Sequence, residues 1–166
     1  MQYQAIGTIH TPYTEATGSP YQPVETEERT DRSFCIELDE LYIDGLERLD
    51  SFDYLYVLYH IDRVKPSRCL RVTPSWTGGK ITVGVFASRS PIRPNPIGLS
   101  VVRIFSIEAN RVYTSPLDVF DGTPVLDIKP YIKDLDTKNE ANYGWIDELP
   151  DRDHLILHIK GIPHGY

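Results

Sequence analysis

The chain has 166 residues, 40% of them hydrophobic, which is enough for one domain to bury a core without disulfide or metal staples. Its two cysteines, Cys35 and Cys69, lack C-x-x-C spacing, so neither a disulfide scaffold nor a zinc cluster is indicated, and a reducing, cytoplasmic setting is expected. No apolar run reaches membrane-span length, no basic-then-apolar leader opens the chain, and a formal net charge of −7 argues against a general polyanion binder.

In chain order, Tyr3 to His10 alternates as a strand does and ends in the turn Thr11-Pro12-Tyr13. Residues 14–32 are polar, with Gly18, Pro20, Pro23 and an acidic group at Glu25, Glu27 and Glu28, and read as a loop. Ser33 to Asp39 reads as a strand. Tyr42 to Leu49 fits a short helix with Ile43, Leu46 and Leu49 on one face and Gly45 weakening it. Phe52 to Ile61, rich in Tyr, Val and Leu, is a strong strand, and Arg68 to Thr73 is a weaker one. Pro74 to Lys80, with Gly78-Gly79, is a turn or open loop.

Ile81 to Phe86 and Ile97 to Phe105 then frame a loop, residues 87–96, in which Pro91, Pro94 and Pro96 fix φ and remove donors. The residues before them, Ser90, Arg93 and Asn95, are driven toward extended geometry. A loop this stiff presents Arg89, Ser90, Arg93 and Asn95 at little entropic cost, a donor set suited to an anionic or hydrogen-bonding ligand. The plainer reading is a rigid linker with solvated arginines.

The second long strand runs on to Glu108 and meets Arg111 to Ser115 across Ala109-Asn110, a hairpin connection. Pro116 to Pro130 reads as two turns with one short apolar stretch at Val125, Leu126 and Ile128. Residues 133–153 are polar and irregular apart from Tyr143 to Ile146, and His154 to Lys160 is expected to be a closing strand. Seven or more strands against so little helix predict a mainly β, single-domain, β-barrel-like core with one or two short helices spanning residues 1–166.

Charge is unevenly spread. Residues 1–62 hold thirteen acids and three bases (−10), and residues 108–166 hold eleven acids and six bases (−5). Residues 63–107 hold Arg63, Lys65, Arg68, Arg71, Lys80, Arg89, Arg93 and Arg103 and no acid (+8), a candidate footprint for a polyanion unless folding pairs it with the acidic segments.

No G-x-G-x-x-G follows a strand, and neither a P-loop nor a G-x-S-x-G elbow occurs. His154 and His158 share a strand face without cysteine or H-E-x-x-H partners, so no metal site is expected. His10 and His60 read as packed or hydrogen-bonded. The segment Leu117-Asp118-Val119-Phe120-Asp121-Gly122-Thr123-Pro124-Val125-Leu126-Asp127-Ile128-Lys129-Pro130-Tyr131 places three carboxylates, a lysine and a tyrosine together, more than a turn needs.

This segment, together with G-V-F-A-S-R-S-P-I-R-P-N-P-I-G-L-S (residues 84–100) and the opening I-G-T-I-H-T-P-Y, resembles the signature of the TrmO (YaeB-like) family, in register over roughly residues 3–132. The resemblance implies a non-Rossmann, barrel-centred homodimer that uses S-adenosylmethionine to methylate N6 of threonylcarbamoyladenosine beside the tRNA anticodon. Position by position it implies cofactor contacts at Thr11, Pro12 and Tyr13, at Asp53 and Tyr54, at Arg89, at the backbone near Leu99, and at Ser115, Pro116, Leu117 and Asp118. The family pattern at Asp53-Tyr54 is often Ser-His. Many bacterial members carry a further C-terminal domain, so a short form is implied, with tRNA affinity more affected than chemistry. Asp121 and Tyr131 are the candidate bases, and Arg93, Asn95 and Lys129 the candidate substrate contacts, Arg93 and Asn95 for the modified base or its threonyl carboxylate. Two other classes remain open: a non-catalytic module that binds adenosine or RNA, and a methyltransferase with a small-molecule acceptor.

Overall fold

The computed structural model describes residues 2–14, 32–74 and 77–149. The expected strand His154–Lys160, with His154 and His158, lies outside these residues, as does most of the loop 14–32. Among the described residues there are eight strands: β1 (Gly7–His10), β2 (Cys35–Leu38), β3 (Tyr54–His60), β4 (Arg71–Val72), β5 (Val83–Gly84), β6 (Ile97–Glu108), β7 (Arg111–Thr114) and β8 (Thr123–Pro130). Six of them pair in the closed order β1-β2-β7-β6-β3-β8, with β8 returning to β1, so no barrel edge is left unpaired. β4 and β5 form a separate two-stranded ribbon inside the long β3–β6 connection.

The barrel follows from side-chain alternation. Along β3, Leu55, Val57 and Tyr59 face inward and are buried, while Tyr54, Tyr56, Leu58 and His60 are only partly so. Along β6, Gly98, Ser100 and Val102 face inward, and Ile97, Leu99, Val101 and Phe105 remain exposed. Ile9, Ile36, Val112, Leu117 and Val125 complete an interior filled by side chains, as a barrel of so few strands requires. Each large aliphatic side chain buried there contributes about 1.5–3 kcal/mol.

The antiparallel registers also fix which connections share an end. His10 pairs with Cys35, Ile9 with Thr123, and His60 with Ile97. The β1–β2, β3–β6 and β7–β8 connections therefore all emerge at one end of the barrel, here called its mouth. The β2–β3 connection, the β6–β7 hairpin and the chain after β8 emerge at the other.

Several expectations need correction. The helix expected over Tyr42–Leu49 is a 3-10 turn over Glu40–Leu46, followed by a second over Leu49–Ser51, with Arg48 between them at φ 66°. With Gly45 inside, the segment lacks the length and propensity for an α-helix and instead tucks Leu46 and Leu49 under the barrel. The only α-helical turn among the described residues is α1 (Lys133–Asp136). The expected strand Ile81–Phe86 shrinks to β5 and then coils into a turn at Val85–Ala87. The largest change is β8, where two turns and a short apolar stretch are expected, yet the segment is a strand flanked by β1 and β3. Pro124 and Pro130 are tolerated because they sit next to and at its ends, where few ladder donors are lost.

Candidate functional site at the barrel mouth

Two of the mouth connections are laced together. Thr11 Oγ1 donates to Val119 O at 2.9 Å, Thr11 N to Asp121 Oδ1 at 3.2 Å, and Tyr13 N to Thr11 Oγ1 at 3.2 Å. Asp121 N donates back to Tyr13 O and Gly122 N to Ile9 O. Gly122 has φ +84°, which the Asp121-Gly122 turn requires of it. Arg63 clamps the pair from outside, donating to Thr14 O and Asp121 O with its guanidinium 4.4 Å from the Phe120 ring centroid. Asp121 Oδ1 also meets His10 Nδ1 at 3.2 Å, and His10 Nε2 lies 3.4 Å from Glu37, which pairs with Arg111 at 2.9 Å. Asp121 is thus a structural tie between the first turn and the start of β8.

The proline loop is held by more than its prolines. Arg93 Nη2 donates to Val85 O and Ser88 O, at 3.2 and 3.3 Å. Ser88 Oγ donates to Val85 O and accepts from Ser90 N, and Ser90 Oγ accepts from Ile92 N. Ser67 N binds Arg93 O, and Trp145 Nε1 reaches Ala87 O at 2.8 Å. Arg93 therefore braces the loop, and Asn95 stays exposed beside it. Arg89 is exposed and directs its charge toward Asp118 and Tyr59.

The β7–β8 connection also delivers Asp118. Ser115 is anchored on β6, its N donating to Arg103 O and its Oγ accepting from Arg103 N, and Ser115, Pro116 and Leu117 are buried. Asp118 follows, with Oδ1 buried and, among the described residues, without a hydrogen-bond partner. Burial raises its pKa above the ordinary carboxyl value, against its own backbone N–H, the Ser100 hydroxyl and the Arg89 charge, which pull it down. Tyr59 OH lies 3.3 Å from Ser100 Oγ, and the phenol is pushed up to about 12, chiefly by burial and then by the Asp118 charge. A Cβ placed on Gly98 would stand 2.0 Å from Tyr59 Cε2, so the ring lies directly across this cross-strand glycine. Opposite Tyr59, β8 bulges by one residue at Leu126, a distortion often found beside sites.

Of the residues singled out from sequence, the mouth gathers Thr11, Pro12, Tyr13, Arg89, Arg93, Asn95, Asp118 and Asp121. Leu99 lies on β6 between the inward Gly98 and Ser100, so its backbone borders the cluster while its side chain points outward. Asp53, Tyr54, Lys129 and Tyr131 are not brought there. Tyr54 pairs with Arg103 and Tyr59 with Gly98, five residues further along β3, which is about 17 Å at ~3.3 Å per residue. Tyr131 instead packs on Tyr54 and Tyr56 and bonds Thr137, and Lys129 pairs with Asp127 at 2.6 Å. Asp121 and Tyr131 bracket the two ends of β8 and cannot act on one atom within a single chain. Tyr59 and Ser100 were missed; the inward register of a serine at i+2 from a glycine is the signal that could have found them. A shallow recess lined by Thr8, His10, Glu37, Asp39, Glu40 and Asn110 lies over β1 and β2, away from Asp118. Among the described residues no cluster could hold a metal ion.

Residues 8–137 match the family model of the tRNA-methyltransferase O N-terminal domain. A probable S-adenosyl-L-methionine-binding protein of Pyrococcus abyssi is 36% identical over 146 residues, covering 88% of this chain and 76% of that protein. The tRNA (adenine(37)-N6)-methyltransferase of Escherichia coli is 31% identical over 158 residues, covering 90% of this chain and 65% of that one. A crystal structure of TrmO from Pseudomonas aeruginosa superposes with a TM-score of 0.67 at 32% identity, covering 87% of this chain and 62% of that chain. The chain thus spans under two thirds of the length of the latter two.

Proposed function

Because the chain belongs to the tRNA-methyltransferase O N-terminal domain family, we propose that it is an S-adenosylmethionine-dependent methyltransferase acting on N6 of adenosine in tRNA, with the threonylcarbamoyl-modified adenosine beside the anticodon as acceptor. The observation that carries the cofactor assignment is the buried Oδ1 of Asp118, unpartnered among the described residues, flanked by Ser100 and facing the charge of Arg89. A buried acceptor without a donor is costly unless a ligand supplies one, and a cofactor bearing an ammonium and ribose hydroxyls fits that need.

When bound, S-adenosylmethionine supplies an electrophilic methyl group on a sulfonium. The chain's own part is placement. The 11–13 turn and the Asp118 segment, cross-bonded to each other, form one wall, and the braced proline loop with Arg89 forms the facing one. Thr11, Pro12, Tyr13, Arg89, the Leu99 backbone and the run Ser115 to Asp118 would hold the cofactor. Arg89 is suited to its carboxylate, and Asp118 to one of its donors. Arg93 and Asn95 border the space left for the modified base. Threonylcarbamoylation makes the N6–H urea-like, so a modest base suffices. Asp121 Oδ2 makes no hydrogen bond among the described residues, which favours Asp121 over Tyr131 for a proton acceptor at this end.

Lys65, Arg68, Arg71 and Lys80 are exposed and, among the described residues, form no ion pair. This supports phosphate contacts along the acid-free segment. Neutralising four phosphates of a single-stranded loop gives a log–log salt slope of roughly −3 for tRNA affinity, and a flat response would remove this role. The outward stripe Ile97, Leu99, Val101 and Phe105, 40–54% exposed, supports a homodimer through the outer face of β6. A monomer in sedimentation velocity at micromolar concentration would refute it. No helix among the described residues is long and apolar enough to cross a membrane, and a tRNA substrate would place the protein in the cytoplasm.

The deciding experiment is calorimetry with S-adenosylmethionine, followed by mass spectrometry of nucleosides from tRNA incubated with enzyme and cofactor. Methylated threonylcarbamoyladenosine is the expected product. Absence of cofactor binding would overturn the proposal, and binding without any nucleoside change would point to a binding module instead.

A further inference from the structure

Resting on the cofactor reading above, we infer that Tyr59 is a positioning residue that, through Ser100, orients the Asp118 carboxyl toward a positively charged ligand. Tyr59 lies inside the barrel, and its ring crosses β6 where Gly98 leaves room, with the nearest ring carbons 2.0–2.6 Å from where a Cβ would be. No other residue at position 98 lets the ring take this path. Its hydroxyl ends 3.3 Å from Ser100 Oγ, and Ser100 faces the same interior two residues along β6.

Ser100 has a single proton. When Tyr59 donates to Ser100 Oγ, that proton is free for Asp118, and the three groups form a chain running toward the carboxylate. The opposite direction would leave Asp118 with neither. A carboxylate is a stronger acceptor than a hydroxyl, so whenever Asp118 is ionised it sets the direction, and hydrogen bonds in series strengthen one another. The phenol holds its proton throughout the physiological range, since burial places its pKa at about 12. The groups facing Asp118 are Tyr59 from β3, Ser100 from β6, Arg89 from the proline loop and its own backbone N–H. Ser100, Arg89 and the backbone N–H oppose the desolvation that favours the neutral acid, and Tyr59 acts through Ser100. Oδ1 nevertheless stays unpartnered among the described residues, so the chain prepares the carboxylate without consuming it.

Two readouts test this on the full-length protein. The first follows the side-chain carboxyl carbon of Asp118 by NMR in the free protein as pH is varied. Tyr59→Phe should raise the titration midpoint, and Ser100→Ala should raise it further. The second is calorimetry with S-adenosylmethionine between pH 5 and 8. Tyr59→Phe should bind roughly three- to tenfold more weakly near neutrality, the equivalent of one net hydrogen bond, and should begin its acid-side loss at higher pH. Asp118→Asn should give weak binding with a flat pH profile. An unchanged Asp118 midpoint in Tyr59→Phe, with near-UV circular dichroism showing an intact core, overturns the inference. A raised midpoint in a protein that never binds the cofactor would support the relay and overturn the cofactor reading alone.

Discussion

Gly98→Ala is the sharpest test of the barrel's interior. The added Cβ would stand 2.0, 2.2 and 2.6 Å from three carbons of the Tyr59 ring, against an ordinary carbon–carbon contact of about 3.5–4.0 Å. The ring must therefore move by more than ~1 Å. It has little room, because Tyr59 is 7% exposed and packed within the core. Overpacking of this kind costs about 1–3 kcal/mol. Loss of the Tyr59–Ser100 hydrogen bond adds about 1 kcal/mol. Against this, replacing glycine stiffens the unfolded chain and returns about 0.4–1 kcal/mol. The net is a destabilisation on the order of 1–3 kcal/mol, or roughly 3–10 °C in Tm for a chain of this size. Thermal denaturation followed by circular dichroism measures it, with Gly45→Ala as control because a Cβ there meets nothing within 4 Å. The double-mutant cycle carries the logic: in a Tyr59→Ala background, Gly98→Ala should be neutral or slightly stabilising. A Gly98→Ala protein as stable as wild type, or an equal loss in both backgrounds, would refute the packing argument.

Asp118→Asn should stabilise the cofactor-free protein at neutral pH while weakening cofactor binding at least tenfold. Burial lifts the folded pKa of Asp118 above its unfolded value, so its contribution to stability is fully present below the unfolded value and is lost as pH rises through the folded one. The Tm difference between Asp118→Asn and wild type should accordingly be positive at pH 8 and shrink on acidification, and a lower Tm for the variant at pH 8 would contradict this sign. For the thiols, Cys35 is buried and pushed up to about 11, mainly by burial, whereas Cys69 is exposed. One equivalent should react with a disulfide reagent in the native protein and two in guanidinium, and two fast native equivalents would show Cys35 to be accessible.

Strands β3, β6 and β7 were legible because period-two alternation coincides with one buried face. β8 was not, because Pro124 and Pro130 and the Asp121-Gly122 turn dominate its local signal, and only closure of the barrel makes it a strand. The two motifs at the mouth were equally visible, since prolines and clustered carboxylates stand out in any sequence. Tyr59 and Ser100 were hidden for the opposite reason. Each reads as an ordinary strand residue until cross-strand register sets Tyr59 against Gly98 and turns Ser100 to the same interior. That Asp53, Tyr54, Lys129 and Tyr131 lie away from the mouth was not legible, because a sequence carries no record of which end of a barrel a residue occupies.

The proline loop raises the question of what makes it rigid. Three fixed φ angles restrict its path, yet prolines remove donors rather than add bonds, and they leave the Val85–Ser88 carbonyls to find partners elsewhere. Arg93 serves two of them, through Nη2 to Val85 O and to Ser88 O, the latter immediately before Arg89. Both N–H groups of that nitrogen are engaged, so on the proposed reading Arg93 would act on the cofactor side by holding Arg89 in place, with only its remaining guanidinium N–H groups left for the acceptor. Arg93→Ala should then weaken S-adenosylmethionine binding, though less than Arg89→Ala does, and speed amide exchange at Ser88 and Arg89. Arg93→Lys should rescue it only in part, because an ammonium lacks the planar fork. Unchanged cofactor affinity and exchange in Arg93→Ala would mean that the prolines alone suffice and that Arg93 is free to serve the acceptor.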